Sequence, residues 1–283
     1  MVRQFGLINE NGQEFSFMDI KNYCLLTEPS GLGMSYSTEY ERVGNSFLEN
    51  IRQMEQGSIE GVLNFSSYDN YRKLIDFIEN SEALRFHYVV PYKNNAEFYR
   101  DVKIQSIEKT EIQPNGFLSE SVTFDCLSLW YSVNEANYNI VAGEDEIRWN
   151  FRWDSRFISY SMRNLYIVNT GHADAAIKLS IDGEVVNPAI ALSVEGEEVQ
   201  NVPFTCTINT GEKFEYSSKD GDSYVRKLNT NGTYTDLFSL DVVTFNNNNV
   251  IKLPKGKSCE LSITADDDIS AATLQVFIYY KSV

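Results

Sequence analysis

The sequence predicts a mainly β protein in two parts. The first is an N-terminal β-rich unit with one α-helix at about 67–80, and the second is a C-terminal β-sandwich or jelly roll. Three observations predict this. Apolar and polar residues alternate with period two through most of the chain, the signature of half-buried antiparallel strands. Turn residues interrupt that alternation at short intervals. The 283 residues are nearly twice the ~150-residue prior for one domain.

The elements follow in order. Leu7-Ile8-Asn9-Glu10-Asn11-Gly12 opens the fold as a strand running into Asn-Gly, whose positive φ angles suit a tight hairpin. Residues 46–55 support two readings. Ser46 and Glu49 imitate a capping box, with Phe47, Leu48, Ile51 and Met54 on a helical face. Phe47, Glu49, Ile51 and Gln53 also alternate, and the turn Gln56-Gly57-Ser58 favours a long hairpin. Ile59, Gly61, Leu63 and Phe65 then share one face of a strand. Ser67 can cap the helix, in which Tyr71, Leu74, Ile75 and Ile78 form a stripe suited to lie on a sheet. Leu84, Phe86, Tyr88 and Val90 mark another strand, and Val122, Phe124 and Cys126 a third.

Ser132 to Asp145 reads as a linker, because Asn134, Glu135, Asn137, Asn139 and Gly143 break the periodicity. That divides the chain into 1–131, 132–145 and 146–283. Beyond the linker, Ile177-Leu179-Ile181 and Leu274-Val276-Ile278-Tyr280 alternate between Asx-Gly and Thr-Gly turns such as Asp182-Gly183 and Thr210-Gly211. This spacing of short strands predicts the second sandwich.

Composition excludes several functions. The net charge is −16, shared as −9 up to residue 140 and −7 after it. Such a surface cannot gain the counterion release that drives nucleic-acid binding, so no sequence-specific nucleic-acid partner is expected. No stretch approaches the ~20 apolar residues of a membrane span, and the N-terminus lacks an apolar signal core, so no membrane insertion and assembly in a cytoplasm are expected. The four cysteines form no CxxC pair, and Cys126 and Cys206 lie in strand alternation that predicts buried free thiols.

Chemistry has little to work with. His87 and His172 are the two histidines, too few for a His-based triad or metal cluster. Gly31-Leu32-Gly33 lacks the third glycine and basic residue of a phosphate loop, so a conformational role in a turn is expected. Asp220-Gly221-Asp222 and Asp266-Asp267-Asp268 lack the spaced ligands of a calcium loop and read as solvated turns. A glycosidase carboxylate pair leaves no sequence signature and ranks last. No metal, cofactor or catalysis is expected. Trp149, Phe151 and Trp153 would share one strand face, which fills a core or stacks on sugar rings.

The order of segments over 1–131 resembles the distal tail protein (Dit) family of siphoviruses. The resemblance is carried by the opening hairpin, Gly31-Leu32-Gly33, the run Gln56-Gly57-Ser58-Ile59-Glu60-Gly61-Val62-Leu63-Asn64-Phe65 leading into the helix, and the strands ending at Phe124-Asp125-Cys126-Leu127-Ser128-Leu129-Trp130-Tyr131. Ile181-Asp182-Gly183 and Leu253-Pro254-Lys255-Gly256 look like the galectin-like sandwich such proteins carry. The resemblance implies a tail-tube-like N-terminal β-sandwich or split barrel, a homohexameric ring around a DNA channel, and a place in the virion tail tip. It implies the tail tube and the tail-tip (tail-associated lysin) protein as partners, with tape measure and receptor-binding proteins as further ones. It makes 46–55 extended and puts ring contacts at Phe47, Glu49, Ile51, Gln53, Ile59 and Leu63. The alternative is a carbohydrate-binding β-sandwich protein that contacts host cell-wall glycans through Trp149, Phe151 and Trp153.

Overall fold

The computed structural model describes residues 3–91, 95–139, 163–237, 250–267, 269 and 271–283. The chain forms two compact units, Met1–Ser132 with Tyr280–Val283, and Val133–Tyr279. Strands β1 (Gln4–Asn9), β2 (Glu14–Ser16), β3 (Leu25–Ser30), β4 (Tyr36–Val43), β5 (Ser46–Met54) and β6 (Ser58–Phe65) precede helix α1 (Tyr68–Glu79). After it come β7 (Leu84–Val90), β8 (Ala96–Ile107), β9 (Leu118–Cys126) and β10 (Trp130–Asn139).

In the first unit an antiparallel sheet runs β2-β1-β7-β8-β9-β6-β3. It curls until its ends meet. Phe17 N–H donates to Phe5 O at 2.9 Å, Leu26 N–H donates to Phe17 O at 3.0 Å, and Met18 bridges Leu25. These few bonds replace a full ladder, so the sheet is a split barrel and not a closed one. Period-two alternation is visible in β9, where Leu118, Glu120, Val122, Phe124 and Cys126 are buried. Aromatic rings fill the interior, with Phe86 at 5.6 Å from Phe124 and 6.2 Å from Trp130. Such pairs add about 0.5–1.5 kcal/mol each beyond area burial.

The helix begins where a cap is available. Ser67 Oγ accepts the Asn70 N–H at 3.3 Å, satisfying one orphan donor of the first turn. Leu74 is fully buried, and Tyr71, Phe77 and Ile78 pack on the same core. Buried Asn70 ties the helix to the chain before β3, donating from Nδ2 to Lys21 O at 2.9 Å.

The second unit contains β11 (Arg163–Val168), β12 (Ala175–Asp182), β13 (Val185–Val186), β14 (Ala189–Val194), β15 (Glu197–Pro203), β16 (Thr207–Ile208) and β17 (Lys213–Lys219). It continues with β18 (Asp222–Leu228), β19 (Tyr234–Asp236), β20 (Lys252–Leu253), β21 (Ser258–Thr264) and β22 (Ala271–Tyr280). One sheet runs β19-β18-β17-β12-β22 and another β11-β21-β14-β15. Both bury alternate residues, such as Ile177, Leu179 and Ile181 in the first and Leu261 and Ile263 in the second. This is the two-sheet arrangement of a β-sandwich.

Two expectations need correction. Ser132 to Asn139 is strand, continuing β10 from Trp130, with Asn134 and Glu135 exposed; residues 140–145 lie outside the described residues. Cys206 is half-buried, unlike Cys126, and burial pushes its thiol up to about 11 in spite of nearby Lys227.

Gly31 has φ +74°, and a Cβ there would sit 1.8 Å from Ser58 O. Close approach of two backbones explains the glycine, as the turn role expected for Gly31-Leu32-Gly33 requires. The Trp130 indole N–H holds this loop by donating to Leu32 O at 3.1 Å. Gly31→Ala should therefore destabilise the protein by about 3 kcal/mol or more, combining left-handed strain with a clash. Gly12→Ala, at φ +77° in open space, should cost only about 1–2 kcal/mol. Denaturant unfolding measures both; equal losses would contradict the close approach.

Candidate functional site

Strands β4 and β5 stand apart from the sheet as a two-stranded ladder. Its register runs from Tyr36 opposite Met54 to Val43 opposite Ser46. A two-residue loop, Gly44-Asn45, closes it, with Gly44 at φ +63° and the Arg42 Nε–H donating to Gly44 O at 2.9 Å. Residues 46–55 are thus extended through Met54, and the helical reading fails because β4 supplies a ladder partner for each end of β5.

Beyond Tyr36, whose hydroxyl accepts from Lys281 Nζ at 3.1 Å, the hairpin carries exposed apolar side chains. Phe47 is 70% exposed and Ile51 44%, while Tyr40, Val43 and Leu48 are more than half exposed. A lone two-stranded hairpin is marginal in water, and clustered exposed apolar side chains mark a binding surface.

Its register changes the pattern expected from sequence. Glu39 faces Ile51 while Tyr40 faces Glu49, so Asn50 is an extra residue in β5. A bulge of this kind shifts the residues beyond it to the other side. Phe47 and Glu49 therefore share a face with Tyr40 and Arg42, and Ile51 and Gln53 share the opposite face with Glu39 and Ser37. Arg52 over the Tyr36 ring at 4.2 Å agrees with this register. The sequence alternation of Phe47, Glu49, Ile51 and Gln53 placed all four on one face, and the bulge at Asn50 overturns that.

The remaining two candidates lie elsewhere. Ile59 and Leu63 are fully buried in β6, inside the core of their own unit. They seat the strand that follows the hairpin and present nothing to another molecule, which corrects their expected place in a ring contact. Trp149, Phe151 and Trp153 lie outside the described residues. Asp220 pairs with Lys252 at 2.8 Å and Asp222 with Lys178, so both carboxylates of that turn serve ion pairs.

Residues 4–127 match the family model described as distal tail protein, N-terminal domain. The N-terminal unit belongs to the distal tail protein family. The matched stretch runs from β1 past β9 and includes the whole hairpin. The distal tail proteins of Lactococcus phages SK1 and p2 are each 25% identical over 159 residues, 52% of this chain. The chain spans about half the length of these curated relatives, 53%. Among solved structures, the phage P2 baseplate in its activated conformation with Ca has a similar chain, at TM-score 0.66 and 18% identity, with 100% of both chains covered. The SPP1 Dit protein, described as a paradigm of hub adsorption apparatus in phages infecting Gram-positive hosts, gives TM-score 0.53 and 12% identity, covering 96% of this chain and 98% of that one. These two likenesses establish the fold.

Sequence reasoning missed Tyr40 and Val43, and placed Leu48 only on the helical face that the structure does not form. The signal was Gly44-Asn45 between two β-prone runs, a two-residue hairpin turn. Exposure separates the candidates experimentally. Ile51→Asp should change unfolding stability by no more than about 0.5 kcal/mol in dilute protein, whereas Ile59→Ala should cost about 2–5 kcal/mol. Chemical denaturation checks this; a comparable loss for both would mean the hairpin packs within its own chain.

Proposed function

We propose that the chain is a structural subunit of a phage tail tip, in which six copies form a ring-shaped hub between tail tube and tail-tip protein. N-terminal units surround a channel for DNA, and C-terminal units, as galectin-like sandwiches, face outward. The particle is built in the host cytoplasm and performs no catalysis. Its partners are further copies of itself, the tail tube protein and the tail-associated lysin of the tip, with tape measure and receptor-binding proteins nearby.

The observation that carries this reading is a hairpin, inside the family-matched stretch, that exposes apolar side chains on both faces. In a closed ring each subunit meets one neighbour on each side through different surfaces. A two-faced arm suits that geometry, with Phe47 and Glu49 toward one neighbour and Ile51 and Gln53 toward the other. Ile59 and Leu63 support it from beneath by fixing β6. The charge of −16 suits a conduit, since like charge lets a polyanion pass without condensing on the wall.

Native mass across a concentration series, with negative-stain images, tests the ring. Six copies of the 32.3 kDa chain should give a particle of about 194 kDa with a central hole. Phe47→Asp and Ile51→Asp should each weaken assembly at least about tenfold, since burying a charge in an apolar contact is costly. A closed dimer, or a mass fixed at one chain at every concentration and in the presence of tail tube protein, would overturn the proposal.

A further inference from the structure

Beside the base of the hairpin sits an arginine without a counter-ion. Arg100, in β8, is 3% exposed. Its Nε–H donates to Ser128 O at 2.9 Å, and its guanidinium carbon lies 5.6 Å from the centre of the Trp130 ring. Among the described residues no carboxylate pairs with it, and neither Nη1 nor Nη2 has a hydrogen-bond partner; Nη1 is buried outright. Burial lowers its pKa, yet a guanidinium keeps its proton near neutral pH. A buried, unpaired charge is among the most costly groups a fold can carry.

The guanidinium borders open space at its Nη2 edge. It lines a cavity of about 430 Å³ together with Cys126 and Leu127, and a second of about 340 Å³ together with Gly33 and Ser35. Met54, Glu55, Gln56 and Gly57 line both. A Cβ on Gly57 would stand 3.3 Å from Nη2, so the missing side chain leaves that edge of the fork open. The Gln56 amide is already engaged, donating to Cys126 O at 3.2 Å. Glu55 is the acidic lining residue, and it is exposed and makes no ion pair with Arg100.

Charge balance selects the ligand. One unpartnered guanidinium, reached through Nη2, matches the charge of one carboxylate. No lysine or second arginine lines either cavity, so a dianionic phosphate would leave net negative charge beside Glu55. We propose that the cavity over Arg100 is an anion site that takes a single carboxylate. The group comes either from an acidic side chain of a second copy of this chain or from a small free carboxylate. The site stands on Arg100 and its cavity whether or not copies close into a ring.

Two arms on the full chain test it and separate the sources. In the first, melting of dilute wild-type protein is followed in sodium acetate against sodium chloride at matched ionic strength. Acetate several-fold above its Kd should raise Tm by about 2 °C, saturably, and Arg100→Met should abolish the difference. In the second, concentrated Arg100→Lys protein is treated with a carbodiimide, which joins an amine only to a carboxylate in contact. A link from the introduced amine to an acidic residue of another copy, mapped by mass spectrometry, identifies a protein source; the acetate effect alone identifies a small-molecule source. If Arg100→Met does not fold, chloride remains the reference and the cross-link is unaffected. Equal melting in acetate and chloride, with no link between copies or only a link to Glu55 of the same chain, would overturn the proposal.

Discussion

A two-stranded ladder has two faces and no layer of its own to cover either. That constraint governs what the N-terminal unit can be used for. Its curled sheet solves the burial problem for β1–β3 and β6–β9 by wrapping around Phe17, Phe86, Phe124 and Trp130. The chain between β3 and β6 leaves that sheet, and Tyr40, Val43, Phe47, Leu48 and Ile51 stay in water. The exit is rigid at its root. Gly31 lies against the Ser58 carbonyl, Leu32 is held by Trp130, and the Glu55 N–H donates to Ser35 O at 3.1 Å. A firm base with an uncovered arm is the arrangement expected of a surface completed by another chain.

The bulge at Asn50 shares the apolar side chains between the arm's two faces. Without it, Phe47 and Ile51 would lie on one side, leaving Val43 and Leu48 on the other. With it, aromatic side chains gather on the face of Tyr36, Tyr40 and Phe47, while Val43, Leu48 and Ile51 occupy the other. A face-to-face pair covers one surface only, so a two-faced arm favours repeated association over a closed dimer.

Much of the fold was legible because burial has a period. The helix could be placed to within a residue, since Ser67 caps it and Leu74 marks its inner stripe. The sandwich of the second unit followed from alternation and turn residues. Register was not legible. Nothing in Phe47-Leu48-Glu49-Asn50-Ile51 announces which residue lacks a partner, because a bulge is decided jointly by two strands. The same limit misplaced Ile59 and Leu63: alternation identifies an apolar face but not whether its own core or another molecule covers it. Arg100 escaped notice for a related reason, since a single arginine in a strand reads as a solvated edge until the strands around it are known.

The central claim is that the exposed apolar side chains of the β4–β5 hairpin, from Tyr40 to Ile51, are covered by other copies. Amide hydrogen exchange over residues 36–54, compared between dilute and assembled protein, tests it most directly. The account predicts fast exchange through this hairpin in dilute protein and strong protection on both strands after assembly, while β6–β9 exchange slowly throughout. Equal protection of residues 36–54 in the two states would contradict it.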